Sequence, residues 1–131
     1  APLVQTTAPA WDRVLAVNAR GTFLGCREVA LRMIEQGDGG RIVNVASGAG
    51  RQGGPSIGAY AASKFAVIGL TQSIAVELAP HGITVNACCP GHVTTTAMWD
   101  HIDTEVGRAS GSAPGPGSSP PTSCPWTGWR A

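Results

Sequence analysis

At 131 residues, 43% hydrophobic and 13% charged, the chain is long enough for one domain with a real core and has a composition suited to buried strands and packed helices. A net charge of +1, with no stretch that concentrates Lys or Arg, gives nucleic-acid binding no electrostatic support. No apolar stretch reads as long enough to span a bilayer and no segment resembles a signal peptide, so no membrane partner and a cytoplasmic location are expected.

In chain order, residues 9–36 show a helical pattern, with Trp11, Val14, Leu15, Phe23, Leu24, Val29, Leu31, Met33 and Ile34 supplying apolar faces. Asn18 and Gly21 interrupt its middle, where a kink is expected. The glycines at 37–40 end the element. Arg41 to Ala46 is short, β-branched and reads as a buried strand. Ser47 to Pro55 is a glycine-rich loop, and a helix follows from about Gly58 to Ala79, stopped by Pro80 and Gly82. Ile83 to Cys89 reads as a second buried strand, closed by Pro90 and Gly91. Strand, long helix, strand is a βαβ unit, which implies parallel pairing.

After about Val106 the character changes. Gly, Pro and Ser dominate without periodicity, so 107–131 is expected to be a disordered tail, while 1–106 forms the folded portion. Trp126 and Trp129 are unusual in such a tail, and a non-native terminus is preferred to a docking role. Cys26, Cys88, Cys89 and Cys124 have no zinc-site spacing and are read as reduced. His92 and His101 lack a third ligand, so no metal is expected. So few charges also suggest that a partner covers part of the surface.

The chemistry concentrates in A59-Y60-A61-A62-S63-K64. Residues four apart share a helix face, so an ammonium at Lys64 can reach toward the phenol of Tyr60. Phenols are ordinarily too weakly acidic to serve as bases near neutrality. A cation about 4 Å away at an effective dielectric near 20 favours ionisation by roughly 4 kcal/mol. Ser47 and Pro90-Gly91 fall at the carboxyl ends of the two strands, where open parallel sheets bind ligands, and Tyr60 opens the intervening helix. Each residue has a plainer reading. Tyr60 could be interfacial, Lys64 solvated, Ser47 a turn cap and Asn18 a kink. Asn44 and Asn86 are read as structural side chains that tie loops together. Gly48 to Gly53 formally fits G-x-G-x-x-G but reads as a decoy, because no helix opens at its third glycine and no acidic residue follows at the right distance.

N-V-A-S47-G, Y60-A-A-S-K64, the asparagine of W-D-R-V-L-A-V-N18-A-R-G, and N86-A-C-C-P90-G91-H-V93-T-T95 occur in the order seen in the short-chain dehydrogenase/reductase family, which the sequence resembles over about residues 3–106. The resemblance implies a partial Rossmann-like, doubly wound parallel α/β sheet. It implies NAD or NADP as cofactor, with Tyr60 as general acid/base and Lys64 making its hydroxyl more acidic while binding the nicotinamide ribose. Ser47 would hydrogen-bond the substrate oxygen, and Asn18 would hold a water linking Lys64 to solvent. Pro90, Gly91, Val93 and Thr95 would line the cofactor, the last two at positions that contact the nicotinamide carboxamide.

The family's amino-terminal glycine-rich turn and N-A-G segment have no counterpart, so the chain by itself is expected to bind cofactor weakly or not at all. The stretch from Pro90 to Asp103 looks most like polyol, butanediol and related small-diol dehydrogenases. A small alcohol or carbonyl substrate is therefore expected, with 3-oxoacyl thioester reductases and sugar dehydrogenases as alternatives within enzymes. A stripe of small residues, Ala62, Ala66, Gly69 and Ser73, could pack on the chain's own sheet. With the resemblance it points instead to a homo-oligomer through the helices at 9–36 and 58–79. The alternative from another class is an inactive fragment that only associates through those helices.

Overall fold

The computed structural model describes residues 1–91. His92, Val93, Thr95, His101, Cys124, Trp126, Trp129 and the whole 107–131 tail lie outside them.

Helix α1 (Ala8–Leu15) starts where Thr7 caps it, its hydroxyl accepting the Ala10 amide proton at 3.3 Å. Pro9 stands in the first turn, where a missing N–H leaves no bond unmade. A π-helical stretch, Ala16–Arg20, then joins α1 to α2 (Gly21–Gln36). The interruption expected at Asn18 and Gly21 is this widened turn, in which the Thr22 hydroxyl donates to the Asn18 carbonyl at 2.7 Å. Helix α2 ends at Gly37, whose φ of 75° is left-handed and whose N–H closes on the Met33 carbonyl.

Strands β1 (Gly40–Val45) and β2 (Ile83–Cys88) flank helix α3 (Gly58–Leu78) in sequence. They pair in parallel, Gly40 opposite Ile83 and Val45 opposite Cys88, as the βαβ pattern requires. The result is the expected part of a doubly wound α/β sheet.

Burial alternates along both strands. Ile42, Asn44, Ile83 and Val85 face the helices, and Cys26, Ala30 and Leu78 complete that core. Val43 and Val45, on the other face, are 64% and 61% exposed. The strands are therefore buried on one face among the described residues, not on both as their composition suggested. Asn44 has the structural role expected of it, but it ties helices to the sheet. The Cys26 thiol donates to its Oδ1 at 3.2 Å, and its Nδ2 donates to Thr71 Oγ1 at 2.9 Å. Asn86 lies exposed on the open face, and among the described residues it ties no loop.

A further expectation is overturned. Gly58–His81, which is α3 with the turn after it, spans 24 residues and by length and composition is apolar enough to cross a bilayer. Its Ala, Gly, Val and Ile serve another purpose here: α3 packs against both strands, with Ser63, Val67, Thr71 and Leu78 buried along its length. The small-residue stripe does not lie on the sheet. Ala66, Gly69 and Ser73 are exposed and Ala62 is half-buried, on a different side of α3 from its packed face.

Candidate active site

Backbone pairing outlasts the strands and builds the floor of the site. The Ala46 amide donates to the Cys88 carbonyl at 2.8 Å, and the Gly48 amide to the Pro90 carbonyl at 2.9 Å. These bonds hold Ser47 beside Pro90-Gly91 at the carboxyl ends of β1 and β2, where a parallel sheet offers a crevice. Ser47 also caps a short turn, Gly48–Gly50, its Oγ accepting the Ala49 amide at 3.2 Å. Among the described residues no group accepts the Ser47 hydroxyl proton, so that donor remains available.

The turn packs directly on α3. Gly50 is required there for space: a Cβ at that position would lie 2.7 Å from the Lys64 carbonyl oxygen. Helix α3 opens at Gly58, five residues past Gly53, so the glycine run does not form a nucleotide-binding turn.

Tyr60 and Lys64 share a face of α3. The Lys64 ammonium lies over the Tyr60 ring, 5.7 Å from its centroid, and donates to the Val45 carbonyl at 3.0 Å. That second bond ties the lysine to the residue two before Ser47, so β1 and α3 are joined at the site itself. Tyr60 is half-buried, and its hydroxyl has no partner among the described residues. Asn18 reaches the same region from the π-helical stretch, donating from Nδ2 to Ser63 Oγ at 3.0 Å. Ser63 in turn donates to the Tyr60 carbonyl at 2.6 Å.

Asn18, Ser47, Tyr60 and Lys64 thus belong to one connected region, and Pro90 and Gly91 border it. Val93 and Thr95 lie outside the described residues. Sequence reasoning passed over Ser63 and Gly50. Ser63 had one available signal, a hydroxyl on the same helical face as Val67 and Thr71 in an otherwise apolar run. A cavity of about 230 Å³ lies elsewhere, between α2 and α3, lined by Phe23, Leu31, Ile34, Leu70 and Ile74 among others. None of the candidate site residues lines it.

Comparison with known proteins agrees with the motifs. Residues 1–107 match the short chain dehydrogenase family. The sorbitol dehydrogenase of Cereibacter sphaeroides is 48% identical over 103 residues, covering 79% of this chain and 40% of the relative. The L-2,3-butanediol dehydrogenase of Corynebacterium glutamicum is 43% identical over 110 residues, covering 84% and 42%. The structure of an NAD+-bound xylitol dehydrogenase superposes with a TM-score of 0.74 at 41% identity, over 78% of this chain and 39% of that one. The chain therefore spans about 40% of the length of the curated relatives it matches. With its motifs in order and its fold shared, the chain belongs to the short-chain dehydrogenase family.

Proposed function

We propose that this chain carries the catalytic portion of an NAD- or NADP-dependent oxidoreductase that interconverts a secondary alcohol, a polyol or small diol, with its carbonyl. The observation that carries this reading is the group at the ends of the strands: a Lys64 ammonium over the Tyr60 ring, with a Tyr60 hydroxyl and a Ser47 proton that have no partner among the described residues. In the alcohol-oxidising direction Tyr60 takes the proton of the substrate hydroxyl, and a bound nicotinamide would accept the hydride from the carbinol carbon. Ser47 donates to the oxygen on which charge develops. Lys64 would hold the nicotinamide ribose, and Asn18 would hold a water between Lys64 and solvent. Pro90 and Gly91 would border the cofactor, as Val93 and Thr95 would by the family resemblance.

A nicotinamide cofactor supplies the hydride acceptor, and a half-buried phenol beside a cation suits the proton transfer that hydride chemistry needs. The names of the sorbitol, butanediol and xylitol relatives support the polyol or diol assignment. A second copy of the subunit is the expected partner, lying along α2 and α3, where Phe23, Leu24, Val29, Leu31 and Phe65 are exposed beside the small-residue stripe.

Titration with NADH and NADPH, followed by nicotinamide fluorescence, tests the reading in a subunit of the relatives' full length that carries residues 1–106 of this chain. Saturable binding with oxidation of sorbitol, xylitol or 2,3-butanediol is expected. Absence of both would favour a segment that only associates through its helices, a reading to which the exposed apolar side of α2 lends support.

A further inference from the structure

Ser63 supports an inference that rests on the oxidoreductase reading and assigns a residue its mechanism leaves out. The side chain is 0% exposed, and no buried side-chain nitrogen or oxygen among the described residues lacks a partner. A serine hydroxyl has one proton and two lone pairs. The proton goes to the Tyr60 carbonyl at 2.6 Å, an oxygen that can only accept. Acceptor capacity is all that remains on Ser63 Oγ, and the Asn18 amide nitrogen fills it at 3.0 Å.

That inventory decides which way the Asn18 amide faces. Turned around, its Oδ1 would meet the Ser63 lone pairs with no proton between them. Reversing the serine as well would set its oxygen against the Tyr60 carbonyl, again without a proton. Asn18 therefore presents nitrogen to α3 and keeps Oδ1 as an acceptor. Its backbone oxygen already takes the Thr22 hydroxyl at 2.7 Å, which leaves Oδ1 the less encumbered of its two acceptors.

We propose that Ser63 is a positioning residue whose buried hydroxyl locks the Asn18 amide in one orientation and couples it to the turn of α3 that carries Tyr60.

The 131-residue chain labelled with 15N tests the lock. One Asn18 side-chain amide proton is expected to exchange roughly tenfold more slowly than those of exposed Asn86. Ser63→Ala should abolish the difference, and Ser63→Thr, which keeps the hydroxyl, should restore it. Equal exchange at Asn18 and Asn86 in the unsubstituted chain overturns the proposal even if a variant fails to fold. So does protection that survives Ser63→Ala. In the full-length subunit, Ser63→Ala is expected to lower kcat roughly tenfold with the cofactor KM little changed, and Ser63→Thr to recover most of it. A raised KM at unchanged kcat overturns the positioning role. Turnover that survives Tyr60→Phe sinks the oxidoreductase reading instead, and the amide measurement does not depend on that result.

Discussion

The two faces of the sheet are built from similar residues and have different fates. On one, Ile42, Asn44, Ile83 and Val85 are sealed under α2 and α3, and a thiol, an amide and a hydroxyl bond one another in the interior. On the other, Val43 and Val45 face outward beside Thr84 and Asn86. Every bond that shapes the candidate site belongs to the sealed side or to the strand ends: Asn18 to Ser63, Ser63 to Tyr60, Lys64 to Val45, Gly48 to Pro90. The candidate site residues are thus held together within the described residues. The open face is a parallel sheet surface of the kind that helices cover.

Four changes would break or sharpen that contrast. Removing the phenol hydroxyl should have the largest effect: in the full-length subunit, Tyr60→Phe is expected to lower kcat by roughly 10²–10⁴-fold with cofactor affinity largely kept, as read by steady-state kinetics and fluorescence titration. Next comes the sealed interior. Asn44→Ala strands the Cys26 thiol and leaves a void beside Thr71, and should destabilise the chain by about 2–3 kcal/mol in urea unfolding. A loss under 1 kcal/mol would mean that the buried network does not hold β1 to the helices.

Smaller again is Gly50→Ala. Its Cβ would press on the Lys64 carbonyl, 2.7 Å away, and force the turn off α3. Thermal unfolding should register about 1–2 kcal/mol. Last is the open face, where Val43→Thr should change the stability of this chain by no more than about 0.5 kcal/mol. The same change in a full-length subunit should cost more. Equal effects in both would show that nothing packs on this face.

Much of this arrangement was legible in the sequence because it is local. Helix ends at Gly37 and Gly82 follow from glycine's access to positive φ, and the strands from β-branched runs between breakers. The i, i+4 spacing set Tyr60 and Lys64 on one face whatever else the chain did. Asn18's neighbourhood was legible only as an irregularity. That a π-helical turn would carry its amide to Ser63, 45 residues away in sequence, depends on how α1 and α2 cross α3. The burial of the strands was misjudged for a related reason: composition reports what a strand can bury, and packing decides which face is covered. The bilayer-length run in α3 does not read as one apolar stretch because Ser63, Lys64, Thr71, Gln72 and Ser73 interrupt it, and only its average composition reveals it.

Residue spacing and chain order alone determined the βαβ unit, the serine at a strand end and the tyrosine–lysine face, since each needs only backbone periodicity. The tertiary structure decided that Lys64 is held by the Val45 carbonyl, that Gly50 must lack a side chain, and that Ser63 has its only proton committed to Tyr60. Those outcomes turn on distances between groups far apart in the chain, which hydrogen-bond capacity constrains and only packing sets.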